Sequence, residues 1–231
     1  RSKDPCRGHF RSIKLGQGEV GKTLSGRLRI GIKDGIYALL VLLLFPVTKL
    51  LFRLRVKGRA NIDRNGEYIV VARHRSYWDI PIFAIALGGW NRVHFIARKG
   101  LMRGNVLAQA IIRAFSTIID RESFSKSDFR RMRDAVRSER LVGIFPEGTT
   151  RERVDAKAGA IHFATVSGKE ILPVNIAPAG PYPPKYPFGF PRMRVSIGRP
   201  VSVDDLAFGI GEDVPRSERY RLLSERLMER V

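Results

Sequence analysis

Two short blocks about seventy residues apart carry the side chains best suited to chemistry: His74-Arg75-Ser76-Tyr77-Trp78-Asp79 and Phe145-Pro146-Glu147-Gly148-Thr149. A histidine with an aspartate five residues on, across a strand-to-helix turn, lets the carboxylate orient the imidazole and stabilise its protonated form. Such a pair takes a proton from a hydroxyl. The hydroxyl of Ser76 lies two residues from His74, but on such a turn it need not face the imidazole. The histidine therefore reads as a base acting on substrate, with Ser76 as a bystander rather than a nucleophile.

Those blocks need a scaffold that holds them together. The first follows the apolar run Tyr68 to Ala72 and the second closes the run Leu141 to Phe145, so each reads as the carboxyl end of a buried strand. Open α/β sheets bind ligands at that edge. Arg53 to Lys57 begins the sheet, and further strands are expected near 93–97, 115–119, 171–177 and 193–197. Helices are expected at 79–87, 101–113, 124–139 and 157–167, and over Arg216 to Val231, where Tyr220, Leu223 and Leu227 fall at helical spacing. This alternation predicts an α/β fold, a central mostly parallel or mixed sheet covered by helices. The stretch Pro178 to Pro191, rich in Pro, Gly and Tyr, reads as a surface loop.

Charge and hydropathy set the amino-terminal quarter apart. Lys and Arg number 42 against 22 acidic residues, a net charge of +20 in 231 residues, and positions 1–60 hold 14 basic and 3 acidic residues. Within that segment Ile36 to Val47 is uncharged, and Leu50-Leu51-Phe52 extends the run past Lys49. A bilayer span takes about 20 apolar residues, so the run is marginal for a span. Pro46 and Lys49 predict a kinked interfacial or half-inserted helix with Arg53, Arg55 and Lys57 at lipid headgroups. The alternative is a buried core helix. The basic residues flank a greasy stretch rather than interleave with aromatics, which favours an anionic membrane surface over nucleic acid. The run starts too far in, and lacks the cleavage site, for a signal peptide. The expected division is a basic tail and apolar membrane-associating helical segment over 1–52, then an α/β domain over 53–231.

Other chemistries fit less well. The single cysteine, Cys6, excludes an intrachain disulfide and fits a reducing compartment. His9, His94 and His162 have no neighbouring ligand pattern, so no metal is expected. Gly16 to Thr23 matches the phosphate-cradling pattern G-x4-G-K-[ST]. However, the preceding His9 to Leu15 is a half-polar strand at best, and Gly26, Gly31 and Gly35 weaken the helix that should follow. A nucleotide-binding loop is not the reading adopted.

Four blocks in order resemble the glycerolipid acyltransferases, a family that includes 1-acylglycerol-3-phosphate and bacterial glycerol-3-phosphate acyltransferases: His74 to Asp79, Ile119-Asp120-Arg121, Phe145 to Thr149, and Ile171-Leu172-Pro173-Val174. The chain departs from the family's common pattern at Arg73, where relatives often carry asparagine, at Phe115, where they often carry glycine, and at Thr150, which separates Thr149 from Arg151. The resemblance implies acyl transfer, with His74 as general base and Asp79 as its orienter. A thioester is already activated, so no covalent enzyme intermediate is needed. It also implies no cofactor beyond the co-substrate, acyl-CoA or an acylated carrier protein. The acceptor would be lysophosphatidate, or alternatively glycerol 3-phosphate or another lysophospholipid. Its phosphate would meet Arg121 and Arg151, with Glu147, Gly148, Thr149 and Lys157 completing the binding residues. The expected location is a phospholipid membrane at its cytoplasmic face. A non-catalytic lipid-binding protein of the same fold is the alternative from another class.

Overall fold

A computed structural model describes residues 17–103, 105–120, 122–147, 159–185, 189–211 and 213–231. A long helix α1 (Gln17–Phe52) leads into the short strand β1 (Arg55–Lys57), then β2 (Tyr68–Ala72), α2 (Asp79–Leu87), β3 (Val93–Arg98), α3 (Val106–Phe115) and β4 (Ser116–Ile119). The chain continues through α4 (Lys126–Ser138), β5 (Leu141–Ile144), α5 (Gly159–Ser167), β6 (Glu170–Ala179), β7 (Arg192–Ile197), α6 (Val203–Ala207) and α7 (Arg216–Met228). The seven strands form one sheet in the order β1-β7-β6-β2-β5-β3-β4. All neighbours are parallel except β6 and β7, so the sheet is mixed, as the alternating pattern predicts.

Each face of the sheet has its own core. Tyr68, Val70 and Ala72 of β2 point to the side covered by α1, α2 and α3, whereas Ile69 and Val71 point to the side covered by α4, α5 and α7. A strand buried on both faces reads as a continuous apolar run rather than an alternation, and β2 is buried at all five positions. The connection from β2 through α2 leads to β3 on one flank, and that from β5 through α5 leads to β6 on the other. Adjacent strands whose connections leave in opposite directions open a crevice at their carboxyl ends. That crevice lies beyond Ala72 and Ile144.

Helix α1 begins at Gln17, so Gln17 to Thr23, all but the first residue of the stretch that matches a phosphate loop, is helical. The 23 residues Ile30–Phe52 are long and apolar enough to cross a bilayer. One flank is nevertheless part of the domain. Tyr37, Val41, Thr48 and Phe52 are buried, while Leu42, Leu43 and Leu50 are 66%, 61% and 80% exposed. Burial of each apolar anchor contributes about 1.5–3 kcal/mol, enough for three of them to fix the helix against α2.

The stretch from Pro178 to Pro191 is the other correction. It is not a free surface loop: β6 runs on to Ala179, and Tyr182 and Phe190 pack against the core on the α1 side.

Candidate active site

The register of β2 on β5 brings the two blocks together. Tyr68 stands beside Leu141 and Val71 beside Ile144. Carried past the strand ends, the same offset sets His74 beside Glu147. There the backbone N–H of His74 donates to Oε2 of Glu147 at 3.2 Å.

The turn after β2 wraps around the carboxylate of Asp79, the first residue of α2. The N–H groups of Arg75 and Ser76 donate to Oδ2 at 2.6 and 2.7 Å. Nδ1 of the His74 ring lies 3.3 Å from that same oxygen. This is ion-pair range but off the line of a hydrogen bond, and the buried nitrogen has no other acceptor among the described residues. The other carboxylate oxygen accepts a hydrogen bond from the Tyr182 hydroxyl at 2.5 Å. Asp79 is 1% exposed, so its position is set by these donors rather than by water. Burial first, and then the facing Asp79 carboxylate, hold the Tyr182 phenol well above its ordinary range, so it remains a donor.

Stacking fixes the imidazole plane. The His74 ring lies over that of Phe145 at 4.5 Å between centroids and 26° between planes, and Phe145 lies nearly parallel to Phe95 at 6.2 Å. Gly143 makes room for this column, since a Cβ there would come within 2.8 Å of the Phe95 ring. With Nδ1 turned to Asp79, Nε2 is the nitrogen left for a substrate proton. The hydroxyl of Ser76 accepts the Trp78 N–H at 3.3 Å instead of serving the imidazole.

His74 and Phe145 line a cavity of about 430 Å³, within the usual range for a small-molecule site. Its walls are apolar side chains of α1, α2, β3 and α3, among them Leu40, Leu44, Ile80, Ala84 and Ile111. Tyr77 and Arg98 stand at its rim and are joined by a hydrogen bond from Nη2 to the Tyr77 hydroxyl at 3.4 Å. A cavity lined this way suits a hydrocarbon chain and has the imidazole in its wall.

Of the residues expected at the site, the structure gathers His74, Asp79 and Glu147. Glu147 is engaged by protein groups on both oxygens: Oε2 takes the His74 N–H, and Oε1 lies 3.7 Å from Arg73. Arg121, Gly148, Thr149, Arg151 and Lys157 lie outside the described residues. The roles of three contributors went unrecognised in the sequence. Arg73 ties the site to the end of α7 by donating to the carbonyls of Met228 and Val231 at 3.0 and 3.2 Å. Phe145 is legible only as the end of a strand, and Tyr182 as a loop residue. Tyr182 comes from a segment a hundred residues away in sequence, with no local pattern to mark it. Among the described residues no group of three His, Cys, Asp or Glu side chains is placed to hold a metal ion.

Known proteins resemble this chain. The acyltransferase family model matches residues 53–177. The 1-acyl-sn-glycerol-3-phosphate acyltransferase of Bacillus subtilis (strain 168) is 25% identical over 178 residues, 77% of this chain and 85% of that protein. The enzyme of the same name from Streptococcus pneumoniae (strain ATCC BAA-255 / R6) is 30% identical over 147 residues, 63% of this chain and 53% of that protein. The crystal structure of the 1-acyl-sn-glycerophosphate (LPA) acyltransferase from Thermotoga maritima has the same fold, with a TM-score of 0.54 and 24% identity over 76% of this chain and 71% of that one. A strand-end histidine beside an apolar cavity, held by its aspartate, on a chain that the family model matches over more than half its length, places this chain in the acyltransferase family.

Proposed function

We propose that the chain transfers a fatty acyl group from a thioester, acyl-CoA or an acylated carrier protein, to the free hydroxyl of lysophosphatidate, an acylation step of phospholipid synthesis. The observation that carries this reading is the place of His74 in the lining of the 430 Å³ apolar cavity. The names of the relatives support the choice of acceptor.

In the proposed reaction Nε2 of His74 takes the proton of the acceptor hydroxyl as its oxygen bonds to the thioester carbonyl carbon. The tetrahedral adduct then collapses, the C–S bond breaks, and the imidazolium returns the proton to the departing thiolate. Asp79, held by its three donors, keeps Nδ1 turned inward and offsets the positive charge on the ring while it lasts. The acyl chain occupies the cavity, and the acceptor phosphate is assigned to Arg121 and Arg151, with Gly148, Thr149 and Lys157 nearby in sequence. Glu147 acts by holding the His74 backbone and Arg73. Residues 53–231 form the catalytic domain, and α1 attaches it to the membrane at the cytoplasmic face. Because α1 packs along the domain from Tyr37 to Phe52, it lies in the interface with its bare flank in lipid rather than crossing the bilayer.

The test is thioester consumption by purified protein with lysophosphatidate, glycerol 3-phosphate and lysophosphatidylcholine offered separately. Lysophosphatidate should be used best, and His74→Ala should abolish transfer while leaving thioester binding intact. Transfer by His74→Ala near the wild-type rate would remove the proposed base, and preference for either other acceptor would remove the proposed substrate.

A further inference from the structure

At the end of α1 four arginines converge on a feature the proposed acyl transfer does not use. Arg53, Arg55, Arg192 and Arg194, with Met193, line a cleft of about 240 Å³. β1 and β7 run parallel, with Arg55 directly beside Arg194 in register. Like charges placed opposite each other on neighbouring strands are destabilising. Among the described residues none of the four has a carboxylate within ion-pair distance. On the far side of β7 the register partners of Arg194 and Arg192 are Ala177 and Ala179 of β6, small residues that leave the space over the cations open. All four arginines are exposed, while Met193 between Arg192 and Arg194, and Val195 and Ile197 beyond, are buried in the core. Arg53 is the one described non-glycine residue at positive φ, 45°, so the chain turns sharply there as it leaves the helix.

Topology fixes which way this cleft faces. β7 is antiparallel to β6, which is parallel to β2, so the amino ends of β1 and β7 lie at the same sheet edge as the carboxyl end of β2. The arginine cleft therefore shares an edge with His74 and sits where the exposed apolar flank of α1 ends, Arg53 following Leu50 by three residues. Planar, always charged guanidinium groups match phosphate oxygens bidentately.

We propose that this cleft binds the phosphate of an anionic phospholipid headgroup, one distinct from the substrate being acylated. The lipid source is favoured over free phosphate because the cleft adjoins the helix flank that would lie in lipid, and over an acidic protein because the space is the size of one headgroup. Bound there, a headgroup neutralises the Arg55–Arg194 repulsion and holds the crevice edge of the sheet against the membrane. The proposal rests on α1 meeting the membrane, and its test separates the two.

The full chain is co-sedimented with phosphatidylcholine vesicles with and without phosphatidylglycerol, as wild type and as Arg55→Gln with Arg194→Gln. The wild type should bind both and gain on addition of phosphatidylglycerol. The double variant should bind phosphatidylcholine like the wild type and lose roughly ten- to thirtyfold of its affinity for the anionic vesicles. Its transfer in detergent micelles should be unchanged. Arg53→Gln with Arg192→Gln should behave alike, which guards against one variant misfolding. Arg64→Gln with Arg137→Gln, at the opposite sheet edge, removes the same charge and should lose far less; an equal loss there would reduce the cleft to net charge and overturn the proposal. Displacement by inorganic phosphate well beyond that by chloride of equal ionic strength would make free phosphate the ligand. Loss of transfer only from an acylated carrier protein, with vesicle binding intact, would make it a protein-docking site. Wild-type protein that ignores phosphatidylcholine would instead fault the membrane role of α1.

Discussion

Tyr182 donates to Oδ1 of Asp79 at 2.5 Å across 103 residues of sequence, on the side of the carboxylate away from His74. The aspartate is thereby clamped between a phenol from the β6–β7 connection and two backbone N–H groups from its own turn. Its separation from Nδ1 of the imidazole, 3.3 Å, depends on that clamp. Removing the hydroxyl frees one oxygen of a buried carboxylate to rotate. Tyr182→Phe should therefore lower kcat by about ten- to a hundredfold, the range expected for a hydrogen bond to a charged group at 1.5–3 kcal/mol. The KM for thioester should stay within about twofold, because the cavity walls are untouched. A kcat equal to wild type would show that Tyr182 only packs.

In the proposed function Arg121 and Arg151 hold the acceptor phosphate. Changing either to Ala should lower kcat/KM for lysophosphatidate by about 1.5–3 kcal/mol, the worth of a charge-assisted hydrogen bond, and barely move the thioester KM. Steady-state rates with an acceptor lacking the phosphate provide the contrast. If that acceptor loses as much, the arginines serve structure instead.

The boundaries of β2 and α2 could be read from the sequence because burial on both faces makes β2 one unbroken apolar run, and because Asp79 begins the helix that follows. The pairing of His74 with Glu147 was legible as two strand ends on one edge, though the register that sets them side by side was not. Tyr182 and Arg73 were out of reach for a different reason. Each acts on the site through long-range contacts, to Asp79 and to the end of α7, and no short-range spacing encodes such a partner. The two-sided character of α1 was also hidden. Leu and Val fill its buried and bare flanks alike, so hydropathy shows a greasy helix without showing which residues meet the domain.

A buried histidine remote from the crevice should make stability depend on pH. His94 on β3 is 9% exposed, with Nε2 2.8 Å from Thr117 Oγ1 and Nδ1 3.6 Å from Glu139. Arg92, itself paired with Asp34 and Glu139, and Lys33 face it as well. Desolvation is the largest influence and pushes its pKa down; Glu139 opposes that, and Arg92 and Lys33 add to it. The folded state thus holds His94 neutral where the unfolded chain, titrating near 6.5, already binds a proton. Between that value and the lower folded pKa the unfolded state carries more protons, so stability should fall as pH drops through the window and be fully present above it. Denaturant unfolding from pH 7.5 to 5 measures this. His94→Gln should flatten that part of the profile, and an unchanged slope would place the titration elsewhere.

The bare flank of α1 gives the most direct test of membrane attachment. Leu42 and Leu43 are 66% and 61% exposed, whereas Tyr37, Val41 and Phe52 on the other flank are buried in the domain core. Deleting the segment would therefore tear out part of the cavity wall as well as the anchor, and no clean conclusion would follow. Leu42→Asp with Leu43→Asp avoids this, because charges placed on a solvent-facing flank cost folding little but cost several kcal/mol on entry into hydrocarbon. The variant should melt within a few degrees of wild type in detergent and turn over a short-chain soluble acceptor at a similar rate. It should also fail to sediment with vesicles and lose most transfer to long-chain lysophosphatidate presented in them. Raising salt discriminates the forces involved: wild-type binding should persist in part, since an apolar flank in lipid is not screened as surface charges are. Should the variant unfold in detergent while wild-type protein ignores vesicles at every salt concentration, the run belongs to the core on both flanks and α1 is no anchor.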